Sequence, residues 1–273
     1  MASANAGKNN TDFVPSRRQK AILDRVGENG FVATEALVEA FGVTPQTIRR
    51  DLNELHGEGL LARFHGGAGQ IKSGENAPYP DRLQAGRKAK RAIAAATAAL
   101  VPNGASLFLN IGTTTEAVAE ALLGHENLNV VTNNINVARI LCRNESFRVI
   151  IAGGQVRNQD GGIVGLASAD FIGQFRMDLG IIGISGIAEN GDLLDFDLEE
   201  VRTARAIVEN SQTVILVADR HKFGRRAMNR LGSLSELDRL VTDGPVPAGF
   251  KPAILQSGIE LVETEHLGSE WRI

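Results

Sequence analysis

Residues 110–115, N-I-G-T-T-T, have the residue types of an anion-binding loop. They follow the apolar run S-L-F-L and precede the helical pattern E-A-V-A-E-A-L-L. A glycine turn and successive hydroxyls at the start of a helix offer N–H and O–H donors to an anion, and the helix dipole assists them. The segment lacks the G-K-[ST] of a P-loop and the G-x-G-x-x-G of a dinucleotide site, which disfavours a nucleotide and indicates a small phosphorylated ligand. An ordinary helix capped by threonine is the alternative interpretation.

Polar or glycine residues also follow other apolar runs of the chain. The carboxyl ends of parallel strands meet at one edge of a sheet, so these residues are expected to converge on one crevice. We predict a ligand site formed by Gly112, Thr113, Thr114, Thr115, Thr132, Asn133, Asn134, Gly153, Gly154, Gly186 and Lys222. Lys222 either neutralises a phosphate or pairs with Asp219. The acidic residues before the helix at 201–210 either stabilise its N-terminus or recognise ligand hydroxyls; they are Asp195, Asp197, Glu199 and Glu200.

The second set of candidate residues lies on a helix that begins after Thr44, with Pro45 at its first position. Apolar residues at 48, 52 and 55 form one buried stripe, which leaves polar side chains on the other faces. Such side chains read the major groove and anchor phosphates, and the following hairpin at 60–67 resembles a wing. We predict DNA contacts from Arg17, Arg18, Thr44, Gln46, Thr47, Arg49, Arg50, Asn53, Arg63 and His65. The alternative is a solvated helix face on which Asp51 and Glu54 balance the two arginines.

The elements that must position these residues divide the chain into five segments. Ser16 is expected to cap a first helix and Thr34 a second, which Gly42 ends. The predicted segments are a disordered arm at 1–15, a winged helix-turn-helix domain at 16–69, a linker at 70–86, a sensor domain at 87–264 and a tail at 265–273.

The larger domain alternates apolar runs typical of strands with helical patterns. The runs are SLFLN, LNVVT, FRVIIAG, LGIIGIS, TVILVA, RLVT and IELVE. Such alternation predicts a mostly parallel sheet covered by helices on both faces. The expected fold class is therefore α/β, with an N-terminal winged helix and a larger C-terminal α/β sensor domain.

Composition excludes several classes of function. The 273 residues carry a net charge of −3, one cysteine and five histidines without metal-ligand spacing, so we expect no disulfide, no metal and no cofactor. The N-terminal sequence lacks the apolar stretch of a signal peptide, and no apolar run is long enough to span a bilayer. We therefore expect a cytoplasmic protein without a membrane partner.

Residues 17–67, above all V-T-P-Q-T-I-R-R-D-L-N-E-L at 43–55 and the following R-F-H-G-G-A, resemble the DeoR family of bacterial repressors. Residues 87–264 resemble the sensor domain of that family, which shares its fold with ribose-5-phosphate isomerase; the runs NIGTTTEAVAEALL, VVTNNINVA and KFGRRAM carry this similarity. The resemblance implies a helix-turn-helix at about residues 32–51, a phosphate loop at 112–115 and Lys222 as its cationic partner. It also implies a repressor of glycerol and glycerol 3-phosphate metabolism genes that leaves its operator when glycerol 3-phosphate binds.

Two other functions stay open at this point. The sensor domain can respond to another phosphosugar, or it can be an isomerase-like enzyme in which Asp195, Asp197 or Glu200 acts as base beside Lys222. An isomerase has no need of the T-I-R-R-D helix, which favours the repressor. A homo-oligomer is expected, because a single winged helix gives a small interface with double-stranded operator DNA.

Overall fold

The computed structural model describes residues 15–29, 31–58, 60–64, 66–69 and 76–264. The chain forms two compact units, Met1–Ile71 and Lys72–Ile273. The predicted arm, apart from Pro15, the predicted tail and His65 lie outside the described residues.

The first unit combines three helices with a small antiparallel sheet. The helices are α1 (Arg17–Asn29), α2 (Thr34–Phe41) and α3 (Pro45–Gly57). The strands are β1 (Phe31–Ala33), β2 (Ala62–Phe64) and β3 (Gly67–Gly69), in the order β1-β3-β2. The core consists of Ile22, Val26, Leu37, Ile48, Leu52, Leu55, Leu61 and Ala68. The structure confirms the predicted winged helix. It also contains β1, which was not predicted because its three residues are too few to show a strand pattern.

The helix ends in this unit have the capping residues that the sequence predicts, except at the start of α2. The Ser16 hydroxyl accepts from the Gln19 N–H, and the Gln19 amide oxygen accepts from the Ser16 N–H, so the start of α1 is capped in both directions. Gly42 ends α2 in the left-handed region, with φ of 61°. The prediction that Thr34 caps α2 is wrong: Ala33 is the cap residue, and the buried Thr34 donates its N–H to the Gly66 carbonyl at 2.8 Å.

The segment predicted as a linker contains a helix, α4 (Tyr79–Gln84). The helix is short and has a proline at its second position. Its sequence therefore resembles the turn-forming residues that precede it. Two of its side chains, Tyr79 and Arg82, pair with other residues of the second unit, to which α4 belongs. Residues 76–86 are therefore structured rather than an open connection.

The second unit is built on a seven-stranded parallel sheet. Its strands are β4 (Ser106–Leu109), β5 (Asn129–Thr132), β6 (Arg148–Ile151), β9 (Met177–Gly183), β12 (Ser211–Val217), β14 (Arg239–Thr242) and β15 (Glu260–Glu263). They lie in the order β15-β14-β12-β9-β4-β5-β6, and every pairing is parallel. All seven predicted runs form these strands, which confirms the α/β fold class.

Helices cover both faces of this sheet. On one face lie α5 (Arg87–Ala98), α6 (Thr113–Ala121) and α7 (Ile135–Leu141), packed with Leu107 and Leu109. On the other lie α8 (Leu166–Ile172), α9 (Leu198–Glu209) and α10 (Lys251–Ser257), packed with Phe108. Successive residues of a strand point to opposite faces, so each strand contributes to both cores.

Two small antiparallel sheets complete the second unit and were not predicted. One is the hairpin of β7 (Gln155–Val156) and β8 (Ile163–Val164). The other joins β10 (Gly186–Ile187), β11 (Asp192–Asp195) and β13 (Asn229–Ser233). These strands are short and interrupted by glycine and charged residues, so they lack the continuous apolar pattern of the main sheet. Within the described residues, no helix is long and apolar enough to cross a membrane.

Candidate functional site

Helix α3 presents one polar face and one buried face. Ile48, Asp51, Leu52 and Leu55 are buried, whereas Gln46, Arg49, Arg50 and Asn53 are exposed, and Thr47 is half-buried. The Thr44 hydroxyl caps the helix by accepting from the Thr47 N–H at 3.3 Å, and the two hydroxyls lie 2.9 Å apart. The helix therefore holds its polar side chains on a rigid support, as a DNA-reading element requires.

The two arginines of α3 differ in their partners. Arg50 donates to the Glu54 carboxylate at 2.9 Å, one turn away. Arg49 has no ion pair or side-chain hydrogen bond with the described residues. Asp51, the second acid that was expected to balance them, points into the unit instead. Arg49 is thus a cation available to a phosphate or a base edge, and charge compensation within the helix applies only to Arg50.

Arg18 of α1, which was predicted to contact DNA, has a partner inside the unit. Its guanidinium pairs with the buried Asp51 carboxylate in two contacts, at 2.5 and 3.1 Å. The neighbouring Gln19 donates to Glu54 at 2.8 Å. These contacts fasten α1 to α3, so Arg18 positions α3 through Asp51. Arg17 is exposed and Arg63 is half-buried on β2.

The loop between β4 and α6 has the geometry of a helix N-terminus open to an anion. Gly112 is the cap residue, with φ of 154°, and no side chain caps the helix. The first turn of a helix has N–H groups without intrahelical acceptors. Thr113 and Thr114 are 9% and 5% exposed, and their hydroxyls have no hydrogen-bond partner in the described part of the chain. These donors are free to bind a ligand.

Several predicted ligand residues use their side chains to hold the fold. The Thr115 hydroxyl lies 2.8 Å from the carbonyl oxygens of Asn110 and Gly112. The Thr132 hydroxyl donates to the Leu109 carbonyl at 2.7 Å. Asn134 caps α7 by accepting from the Asn136 N–H at 2.9 Å. The side chains of these three residues are therefore engaged in hydrogen bonds that shape the strand ends.

Asn133 differs from its two neighbours. Its amide nitrogen donates to the Ile163 carbonyl at 2.9 Å, but its amide oxygen is buried and has no partner among the described residues. A buried acceptor without a donor is costly. A ligand hydroxyl would satisfy it.

Two of the predicted glycines, Gly154 and Gly186, serve close packing of the backbone. A Cβ atom on Gly154, whose φ is 152°, would lie 3.2 Å from the Val164 carbonyl. A Cβ atom on Gly186 would lie 2.1 Å from the Arg225 carbonyl, so only glycine lets the loop after β12 approach β10. Gly153 is exposed with open space around its Cα atom. Of the three, Gly186 bears most directly on the ligand site, because it fixes the loop that carries Lys222.

Lys222 lies in this loop, half-buried and without an ion pair or hydrogen bond in the described residues. The predicted alternative of a pair with Asp219 is not formed; the Asp219 carboxylate accepts from the His221 N–H at 3.0 Å. Burial lowers the pKa of Lys222, and the nearby positive charges of Arg225 and Arg82 lower it further against the opposing effect of Asp219. A buried cation of this kind favours an incoming anion.

Three further cations lie near Lys222, and the sequence pattern did not predict them. Arg82 of α4 donates to Asp160 at 2.8 Å, and Lys90 of α5 donates to the Arg82 carbonyl. Arg225 donates to the Asn76 amide oxygen at 3.0 Å. Burial lowers the pKa of Lys90 to about 8, and the charges of Lys222 and Arg82 act in the same direction. Lys90 was detectable, since it lies at helical spacing from the buried Ile93, Ala94 and Thr97.

The acidic residues before α9 have defined structural partners. Asp197 caps α9 by accepting from the Glu199 N–H at 2.9 Å, which agrees with the helix-terminus interpretation. Arg157 contacts the carboxylates of Asp160 at 2.8 Å, Asp197 at 2.7 Å and Glu200 at 2.8 Å. Asp195 is buried and accepts from the Ser185 hydroxyl at 3.0 Å. No group of metal-ligating side chains occurs within the described ranges.

Glu200 gives a pH-dependent prediction. Burial, and then the charge of Asp195, raise its pKa to about 7 from an ordinary value of 4.5, against the effect of Arg157. The folded protein therefore holds a proton that the unfolded chain loses above pH 4.5, so the free energy of unfolding falls as pH rises from about 5 to 8. Glu200→Gln is expected to flatten this slope in urea titrations at several pH values. Glu209→Gln, at the surface of the same helix, should keep the wild-type slope; a slope unchanged by Glu200→Gln would contradict the assignment.

A winged-helix unit followed by an α/β unit is the architecture of a DNA-binding transcription regulator. The chain matches the DeoR-like helix-turn-helix domain over residues 18–74 and the DeoR C-terminal sensor domain over residues 86–244. The chain belongs to the DeoR family of transcription repressors, which confirms the resemblance noted in the sequence.

Named relatives match along nearly their whole length. The chain is 52% identical over 246 residues to the glycerol-3-phosphate regulon repressor of Escherichia coli (strain K12), covering 90% of this chain and 98% of that protein. It is 51% identical over 247 residues to the glycerol-3-phosphate regulon repressor of Haemophilus influenzae, covering 90% and 96%. Among solved structures it is similar to ribose 5 phosphate isomerase A from Neisseria gonorrhoeae, at 16% identity, TM-score 0.36 and coverage of 50% and 53%.

Proposed function

We propose that this chain represses genes of glycerol and glycerol 3-phosphate metabolism and leaves its operator when glycerol 3-phosphate binds. The observation that carries this proposal is the 52% identity with a glycerol-3-phosphate regulon repressor over 98% of that protein. The named relatives are repressors rather than enzymes, which supports a protein that binds its ligand without converting it.

The DNA side of the proposal rests on α3. Arg49 is its unpaired cation, with the exposed Gln46, Arg50 and Asn53 beside it. In this proposal these side chains reach base edges or phosphates of the major groove, and Arg17, Arg63 and His65 contact the backbone or the minor groove. The DNA-binding domain occupies residues 16–69, and a homo-oligomer presents paired recognition helices to the operator.

The effector side rests on the crevice at the carboxyl ends of β4, β5, β9 and β12. The phosphate of glycerol 3-phosphate binds the N–H and hydroxyl groups of Thr113 and Thr114, with Lys222 as counter-ion. The amide oxygen of Asn133 accepts a hydroxyl hydrogen of the glycerol moiety. The loop and the half-buried Lys222 thus bind the phosphate end of a small phosphorylated polyol, and the unpartnered amide oxygen of Asn133 binds its hydroxyl end. The protein works in the cytoplasm, where its DNA and its metabolite occur.

The test is binding of the purified full chain to DNA from upstream of its host's glycerol-utilisation genes, measured by fluorescence anisotropy at one fixed salt concentration. Specific binding relieved by glycerol 3-phosphate, but not by glycerol, is the expected result. Release by another phosphosugar alone would replace the effector and keep the repressor. Absence of specific binding would contradict the repressor, and turnover of a sugar phosphate would then support an enzyme.

A further inference from the structure

Helix α4 is docked onto α6 through one buried carboxylate. The Tyr79 hydroxyl donates to Glu116 at 2.9 Å, and the Asn136 amide donates to both Glu116, at 3.1 Å, and the Tyr79 oxygen, at 3.0 Å. Burial, with the charge of Glu116, raises the pKa of Tyr79 above its ordinary value, so its phenol remains a donor. Glu116 is 7% exposed, which makes this a buried polar cluster in which each partner depends on the others.

A second contact fastens α4 to the turn between β7 and β8. Arg82 donates to Asp160 at 2.8 Å, and the side chains of the two residues are 18% and 3% exposed. Asp160 is shared with Arg157, whose guanidinium also contacts it at 2.8 Å. Asp160 keeps Arg157 as a partner when Arg82 leaves, and Arg157 is shared with Asp197 and Glu200.

Both contacts lie where a bound anion would act on them. Glu116 belongs to the first turn of α6, and its N–H donates to the Gly112 carbonyl at 3.0 Å. A phosphate at the start of α6 carries the same sign of charge as the Glu116 carboxylate and repels it. The phosphate also attracts Arg82, which lies close enough to Lys222 and Lys90 for its charge to lower the pKa of both lysines. An anion in the crevice therefore opposes each contact that docks α4.

Helix α4 is also the first helix of the chain after the DNA-binding unit. Residues 70–75 join the end of β3, at Gly69, to Asn76. A change in the docking of α4 consequently acts on a helix that follows the DNA-binding unit closely along the chain.

We propose that α4 transmits effector binding to the DNA-binding unit, with Tyr79 and Arg82 as the positioning residues whose contacts the bound phosphate weakens. This inference rests on the function proposed above, since it takes glycerol 3-phosphate as the ligand that favours release. A ligand shifts an equilibrium only by binding the two states unequally, and here the inequality is the repulsion of Glu116 and the competition for Arg82. Reciprocity then requires that loosening α4 strengthens effector binding and weakens operator binding.

Tyr79→Phe tests this, because it removes one hydrogen bond and keeps the ring. We expect operator affinity to fall by about 2- to 10-fold and the affinity for glycerol 3-phosphate to rise by a similar factor, the size of one hydrogen bond. Anisotropy measures the first and calorimetry the second. A merely structural role of Tyr79 would instead weaken effector binding together with operator binding, and that result would overturn the proposal.

The matched control is Arg143→Ala, which removes the exposed ion pair between Arg143 and Glu120 of the same helix α6. It should change neither affinity. Hydrogen exchange of the wild-type protein gives a second readout: the amides of residues 81–84 should exchange faster with glycerol 3-phosphate than without it, and equal rates would overturn the proposal. If glycerol 3-phosphate releases the wild-type protein from the operator and Tyr79→Phe behaves like the wild type, only the role of α4 is refuted. Absence of release from the wild-type operator complex would refute the proposed function as well.

Discussion

Replacing Lys222 with Ala is expected to raise the dissociation constant for glycerol 3-phosphate by an amount equivalent to about 2 to 5 kcal/mol, the cost of truncating one partner of a buried charged contact. Lys222 forms no ion pair with the described residues, so no direct partner has to be displaced when the ligand binds. Operator binding should be unchanged, and release should require far more effector. Calorimetry gives the first quantity and a titration of the operator complex gives the second.

Thr114→Val is the companion variant, because it removes the free hydroxyl at the start of α6 and preserves the shape of the side chain. It should weaken effector binding in the same direction by about 1 kcal/mol, the contribution of one hydrogen bond. Lys88→Ala, which removes an exposed lysine from α5, controls for the loss of charge. Normal release in both Lys222→Ala and Thr114→Val would remove the proposed phosphate site.

Replacing Arg49 with Ala is expected to weaken operator binding by about 1 to 3 kcal/mol if the arginine contacts a base. If it contacts a phosphate instead, the loss should be similar for every DNA sequence, and the slope of log affinity against log salt should fall by about one. Measuring operator and scrambled DNA at several salt concentrations separates the two cases. Effector affinity should not change, because α3 belongs to the other unit.

Arg148→Ala provides the control, because it removes the same charge from an exposed position of β6. It should leave both affinity and salt slope at wild-type values. Arg50→Ala should have a smaller effect than Arg49→Ala, since the Arg50 guanidinium already has Glu54 as a partner at 2.9 Å. Unchanged operator binding by Arg49→Ala would contradict the assignment of α3 as the recognition helix.

Residue patterns of the chain were sufficient to predict the main sheet and the recognition helix. The seven strands of the sheet are continuous apolar runs bounded by turn residues, and such runs are buried on both faces of a parallel sheet. The buried stripe of α3 follows helical spacing, with Thr44 and Pro45 marking its start. The short strands and α4 were missed, because two to six residues carry too little periodicity to predict an element.

The ligand site was predicted by position rather than by side chain. The strand-end rule placed residues 112–115, 132–134 and Lys222 at one edge of the sheet, where the structure has them. It did not distinguish Thr114, whose hydroxyl is free, from Thr115, whose hydroxyl bonds to backbone carbonyls. It also did not single out Arg82, which lies on α4 outside the strand ends, or Arg225, which lies in the loop of Lys222.

The sequence by itself determined the main strands, the recognition-type helix pattern and the family of this protein, because periodicity, capping residues and motifs are local properties of the chain. Only the tertiary structure decided which charges remain available. Arg18 is neutralised by Asp51, 33 positions away in the sequence, and Arg82 by Asp160, 78 positions away. Arg49 and Lys222 keep their charges for a ligand. Pairing of charges depends on distances between residues remote in sequence, and folding alone sets those distances.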